Sequence, residues 1–91
     1  MEALICAYDW DCDTALYVFR CENGFDAYEY WRPDVIGGQG ERGIAQIHPI
    51  HLERIHNLGY TWDDMFNPTA NLAVAYSLFQ EQGWEPWACA Q

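Results

Sequence analysis

The sequence contains no lysine, and its only firm cations are Arg20, Arg32, Arg42 and Arg54. Fourteen Asp and Glu residues oppose these four, giving a formal net charge of −10. Binding DNA or RNA relies on neutralising phosphates with basic side chains, so no nucleic-acid partner is expected. Anionic membrane surfaces are disfavoured for the same reason. No apolar run approaches the ~20 residues of a membrane span. The opening "MEALICAYDWDCD" is too acidic, and its apolar run too short, for a signal peptide. The segment is therefore expected to be excised from a longer protein or to be secreted by another route. There is no C-x-x-C pair, which argues against zinc. A neutral polymer such as a glycan remains compatible with this balance.

What is present is aromatic and apolar. Five Trp, six Tyr and four Phe in 91 residues, with an apolar fraction of 51%, exclude disorder and point to one domain over residues 1–91. So short a chain buries a modest share of its surface, and covalent staples help it. Cys6, Cys12, Cys21 and Cys89 are an even set that suggests two disulfides and an oxidising destination. Three pairings are open. The preferred one joins Cys6 to Cys12 and Cys21 to Cys89; four buried free thiols are the alternative.

Helix signals dominate the chain. Asp11 is a candidate N-cap for a helix from Cys12 to Glu22, with Ala15, Leu16 and Phe19 on its apolar face and Gly24 as a left-handed stop. From Phe25 to Gly43 the periodicity breaks, and the Gly-rich stretch reads as a long loop or a short hairpin. "GIAQI" is expected to form a helical turn of its own. A further helix is predicted from Pro49 to near Asn57, stopped by Gly59, and a single turn at "TWDDMF" carries a Thr61–Asp64 cap pattern. The clearest helix runs from Pro68 to Gln82, capped by Asn67 and ended by Gly83. Its apolar face is Leu72, Ala75, Tyr76 and Phe79. The fold class is mainly α, a small helical domain with one long irregular loop or short β-hairpin.

Glu22 occupies an awkward place, the last turn of a helix, where unpaired carbonyls present partial negative charge. That position and partial burial beside Phe25 both disfavour the charged carboxylate. A carboxylic acid kept neutral is able to donate a proton to a leaving oxygen. The bland alternative is a solvated residue at a helix end.

Three motifs weigh against that alternative. Glu22-Asn23-Gly24-Phe25 closes the first long helix; Gly40-Glu41-Arg42-Gly43-Ile44-Ala45-Gln46 follows; Asn67-Pro68-Thr69-Ala70-Asn71 opens the last. In order and spacing, over roughly residues 12 to 84, they resemble the lysozyme-like catalytic domain of lytic transglycosylases. That family carries a Glu-Ser-Gly-Phe-type signature, a G-x-x-G-L-x-Q segment and an N-P-x-x-N helix. The resemblance implies that Glu22 is the single acid/base cleaving the β-1,4 bond between N-acetylmuramic acid and N-acetylglucosamine in peptidoglycan. It implies that Gln46 lines the cleft and that its amide binds N-acetyl groups. It also implies that the muramyl C6 hydroxyl attacks its own anomeric carbon, leaving a 1,6-anhydro end, so that one carboxylate suffices. Two departures stand out. Asn23 replaces the usual Ser, and "EPWACAQ" stands where the family commonly has Tyr-Asn-Ala-Gly. Tyr76 or Trp87 is expected to supply that missing cleft wall.

A second carboxylate would turn the reaction to hydrolysis, and Asp26, Asp34 and Glu41 are the candidates. Glu41, on the Gly-rich loop, is the best of them. Carboxyls ~5 Å apart would mark a retaining lysozyme and ~6.5–9.5 Å an inverting one. Pairing of Glu41 with Arg42 or Arg20 is the structural alternative. His48, His51 and His56 lack a completing metal ligand, so His48 is read as a helix-start residue near the cleft. Among aromatics that can stack on sugars, Tyr30 and Trp31 rank first because they sit on the loop, ahead of Tyr28, Trp62 and Trp84.

The expectation is a monomeric, cofactor-free, metal-free enzyme acting on peptidoglycan glycan strands. It would be secreted, extracellular or phage-associated, in the manner of an endolysin or an antimicrobial wall-degrading protein. Its expected site comprises Glu22 and Glu41 as catalytic groups, with Asn23, Tyr30, Trp31, Gln46, His48 and Tyr76 binding substrate. The rival of a different class is a glycan-binding or phage structural module that has lost activity.

Overall fold

In a computed structural model the backbone of residues 1–91 is described, together with every side chain except those of Phe25 and Asp26. The α-helices are α1 (Glu2–Cys6), α2 (Cys12–Asn23), α3 (Leu52–Asn57) and α4 (Pro68–Gln82). Single 3-10 turns lie at Phe25–Tyr28, Pro49–His51, Asp63–Phe66 and Ala88–Ala90. The chain is mainly helical, and among the described residues no strand forms.

Local chemistry sets the helix ends. The Asp11 carboxylate accepts from the Thr14 N–H at 2.9 Å and from its hydroxyl at 2.7 Å, and so starts α2. Gly24 stops α2 with φ +115 and ψ 168, an extended glycine-only conformation instead of the expected left-handed helical one. Asn67 Oδ1 accepts from Thr69 N at 2.9 Å and Pro68 takes the first position of α4, where its missing N–H is not needed. Thr61 and Asp64 cap each other reciprocally, Thr61 N to Asp64 Oδ2 at 2.7 Å and Asp64 N to Thr61 Oγ1 at 3.3 Å.

Two expectations are corrected, and α1 is a helix that the sequence patterning did not predict. Helix α1 has no side-chain cap and carries no strong sequence signal; it exists because it packs on α2, where the Trp10 indole donates to Ile5 O at 2.7 Å. The predicted helix from Pro49 is a 3-10 turn followed by α3. The segment 43–47 is not a helical turn. Arg42 and Ile47 exchange two backbone hydrogen bonds of 3.0 Å each and close a four-residue loop; Ile36 bridges to Arg42 on the other side. Gly43 (φ +80) and Gln46 (φ 52) both adopt left-handed backbone, which ends any helix there.

Helix α4 is the centre of the molecule. One face, with Tyr76 and Phe79, meets an aromatic cluster around Trp10, whose ring lies 5.3–5.6 Å from those of Phe19, Tyr76, Phe79 and Trp84. Such pairs contribute about 0.5–1.5 kcal/mol each beyond area burial. The other face, Asn71, Val74 and Leu78, is also buried, so the helix is covered on more than the single predicted stripe. Asn71 is 0% exposed and joins three segments. Its Oδ1 accepts from Ala45 N (2.9 Å), and its Nδ2 donates to Arg42 O (2.8 Å) and Met65 O (2.9 Å).

The cysteines pair as Cys6–Cys12 and Cys21–Cys89. The second closes a loop with a sequence separation of 68 and anchors the C-terminal segment to α2. In the chain-entropy account that closure contributes roughly 4 kcal/mol.

Asn71→Ala removes the side-chain partner of the buried Ala45 N–H and Met65 carbonyl, while Arg42 O keeps its bond from Ile47 N. A loss of about 3 kcal/mol is expected, read as a Tm lowered by roughly 12–24 °C in thermal unfolding. His51 supplies a pH prediction. Its pKa lies below the usual 6.5 because burial disfavours the imidazolium, with Arg54 and His48 adding to the effect and Glu81 opposing it. The unfolded chain then binds the proton more tightly, so this contribution is full above pH 6.5 and fades as pH falls through the folded pKa. Calorimetry of His51→Gln from neutral to acid pH should give a flatter decline of Tm than wild type.

Candidate active site

Helix α2 ends beside a cleft of about 330 Å³ lined by Glu22, Gly38, Gln39, Glu41, Gln46, His48, Pro86, Trp87 and Ala88. Three parts of the chain build it: the end of α2, the 37–48 loop, and the segment after α4.

Glu22 is half-buried, and its Oε1 accepts the backbone N–H of Cys89 at 3.0 Å. Among the described residues its second oxygen, Oε2, has no hydrogen-bond partner. The neighbouring Cys21 is disulfide-bonded to Cys89, so the donor and the carboxylate are fixed to each other through the chain and through the bridge.

Glu41 lines the same cleft. Its Oε1 accepts from Gln39 N at 2.7 Å, and its carbonyl accepts from Gly37 N at 2.8 Å, so the carboxylate belongs to a tight loop. It pairs with neither Arg42 nor Arg20. Arg42 bonds Asp63 at 2.9 Å and lies 4.5 Å from the ring centres of Trp62 and Phe66, while Arg20 pairs with Glu2.

Gln46 lines the cleft in a left-handed backbone conformation that a side chain rarely adopts; such strain clusters at functional sites. Its Nε2 donates to Gly43 O (3.0 Å) and Val35 O (3.3 Å), which leaves Oε1 as the group available to a ligand. The amide therefore presents an acceptor, suited to an acetamido N–H or a sugar hydroxyl. His48 Nδ1 accepts from Ile50 N at 3.0 Å and caps the Pro49–His51 turn; its Nε2 stands 3.1 Å from Gln39 Oε1. With Nδ1 accepting, the ring proton is on Nε2 and is donated to Gln39.

The other sequence candidates fall elsewhere. Asn23 is 2% exposed and outside the cleft lining; its amide donates to Arg32 O (2.9 Å) and Gly43 O (3.3 Å) and accepts from Arg32 N (2.9 Å). It pins the loop to α2 and has no free group for a sugar. Tyr76 stacks within the aromatic core, 4.9 Å from the Tyr8 ring. Tyr30 is exposed and Trp31 half-buried beside Arg20, and neither lines the cleft. Asp34 is exposed on the loop, outside the lining, and the side chain of Asp26 lies outside the described residues. Trp62 and Trp84 are packed against the core. Among the described residues no set of three His, Cys, Asp or Glu stands close enough to hold a metal.

Of the two residues left open for the cleft wall, Trp87 is the one that lines the cleft. It is 3% exposed, and its indole N–H donates to Ala45 O at 2.9 Å, locking the C-terminal segment to the 42–47 loop. Pro86, Ala88 and Gln39 are cleft residues that motif reasoning missed. The pairing of Cys21 with Cys89 was the signal that could have found the first two, because it carries residues 86–88 to the end of α2.

A half-buried carboxylate at a helix end thus faces a polar loop across a groove on a small, mainly helical fold. The model of the transglycosylase SLT domain family matches residues 4–84, and the chain belongs to that family. The domain is thus of the lytic transglycosylase type that acts on peptidoglycan. Neither curated proteins nor solved structures gave a match.

Gly37 is not among the positive-φ glycines, yet a methyl group there would collide with Gln46 Oε1 and lie 3.0 Å from Glu41 Oε1. Gly37→Ala should displace both cleft side chains and lower kcat/KM on cell-wall substrate about tenfold.

Proposed function

We propose that this chain is a lytic transglycosylase in which Glu22 alone is the acid/base, cleaving the β-1,4 bond from N-acetylmuramic acid to N-acetylglucosamine. The observation that carries the reading is Glu22 itself, held through Oε1 by the Cys89 N–H at the rim of the cleft. Oε2 delivers its proton to the glycosidic oxygen as the bond to the anomeric carbon breaks. The muramyl C6 hydroxyl then adds to that carbon and returns its proton to Glu22, closing a 1,6-anhydro ring without water. Gln46 Oε1 holds an acetamido N–H or a hydroxyl, and Trp87 with Pro86 forms the wall against which the sugar lies. A neutral sugar backbone tolerates the acidic cleft, which is lined by two carboxylates and no arginine. The site of action is the bacterial wall, reached from outside the cytoplasm or from a phage particle.

Glu41 supports a second reading. It lines the same cleft, and a second carboxylate would let a water attack, as in a muramidase. Its commitment to the Gln39 N–H favours the one-carboxylate reading.

Mass spectrometry of muropeptides released from purified walls separates these. Anhydro ends, lighter by one water than hydrolysis products, are expected. Glu22→Gln should lower the rate of wall lysis about 10²–10⁴-fold, and Glu41→Gln should leave anhydro products forming. Reducible ends that vanish in Glu41→Gln would establish the muramidase, and binding to walls without any released product would establish an inactive glycan-binding module.

A further inference from the structure

We infer that the Cys21–Cys89 disulfide, with the Cys89 N–H, is a positioning device for Glu22, so that this enzyme's chemical step is sensitive to thiol reduction. The inference rests on the reading of Glu22 as acid/base. Two connections between the same pair of segments are on the page. The bridge joins Cys21, the residue before Glu22, to Cys89, and the N–H of Cys89 donates to Glu22 Oε1 at 3.0 Å.

The end of α2 and the C-terminal segment are far apart in sequence, and three contacts carry that segment to the cleft: the bridge, the Glu22 bond and the indole bond of Trp87 to Ala45 O. Ala88–Ala90 is a single 3-10 turn without a side-chain cap, too short to hold its own shape. The bridge and the Glu22 bond hold it to the end of α2. Cleaving the bridge loosens Cys89, and with it the donor that orients the carboxylate, while Trp87 stays anchored to Ala45. A misplacement of that kind weakens proton delivery in the transition state while sugar contacts at Gln46 persist, so the effect falls on kcat more than on KM.

The Cys6–Cys12 bridge provides the contrast. It ties α1 to the start of α2, and neither cysteine lines the cleft. In the Cys6→Ala/Cys12→Ala variant the one remaining bridge is Cys21–Cys89. A dithiol such as dithiothreitol opens it by two successive thiolate attacks; the reagent leaves as its cyclic disulfide, and two protons complete the Cys21 and Cys89 thiols.

The test has two arms. In the first, kcat and KM on soluble glycan strands are measured for wild type, Cys6→Ala/Cys12→Ala and Cys21→Ala/Cys89→Ala, below the unfolding transition of each. The expected result is wild-type kcat for the first variant and a fall of about tenfold for the second, with KM within about twofold. Dithiothreitol should reproduce that fall in Cys6→Ala/Cys12→Ala, and reoxidation should reverse it. In the second arm, which needs no stable variant of the bridge, the Cys89 amide of ¹⁵N-labelled protein is followed by NMR against pH. Its shift should titrate together with the Glu22 carboxylate, and the titration should vanish in Glu22→Gln. A folded Cys21→Ala/Cys89→Ala with wild-type kcat overturns the inference, as does a Cys89 amide that ignores Glu22. Full activity in Glu22→Gln overturns instead the acid/base reading beneath it, a distinct outcome.

Discussion

The structure depends on one buried amide. Asn71 reaches from α4 to Ala45, Arg42 and Met65, and its amide is fully buried. A buried polar group left without partners is costly, so a fully satisfied one specifies a single arrangement of the segments it joins. Here it sets the distance of the 42–47 loop from the central helix. Gly43 completes the constraint, because a side chain there would run into Asn71 and the Met65 carbonyl. The N-P-x-x-N pattern thus has a physical content. Its first Asn caps the helix, its Pro starts it, and its last Asn holds the loop.

From that fixed loop the cleft is assembled by two further anchors. Asn23 bonds Gly43 O and both backbone groups of Arg32, clamping the start of the long loop to the end of α2. Trp87 bonds Ala45 O and brings in the C-terminal wall. Asn23 and Asn71 therefore grip the Gly43 region from two helices. The catalytic candidates Glu22 and Glu41 and the strained Gln46 sit on the rim of this scaffold, where positions are set by buried bonds and exposure is kept for substrate.

The scarce cations are all engaged away from the cleft, with the exception of Arg32, which stands exposed on the loop. Arg42 lies against Trp62 and Phe66, Arg54 bonds Ser77 and Glu81, and Arg20 bonds Glu2 between Tyr28 and Trp31. Their work is structural, and the cleft is left acidic. That is an unfavourable site for phosphate and a tolerable one for neutral sugars, whose recognition rests on hydrogen bonds and on apolar walls.

Much of this was legible in the residues themselves. Asp11, Asn67, Pro68, Gly24 and Gly83 mark the bounds of α2 and α4 because capping is chemistry between near neighbours. The position of Glu22 at a helix end follows from the same signals, and the cysteine pairing was the preferred one among three. The rest was decided by contacts between distant segments, which no local pattern encodes. Helix α1, only five residues long, is too short to persist alone and is held by packing on α2. The segment 43–47 reads as helical by its apolar residues, yet reciprocal bonds between Arg42 and Ile47 and the grip of Asn71 bend it into a loop. Asn23 and Tyr76, polar and aromatic residues beside the motifs, were expected at the substrate, but burial turned one into a clamp and the other into core. The choice of Trp87 as cleft wall required the fold, because only the folded chain carries residues 86–88 past Ala45 to the carboxylate of Glu22.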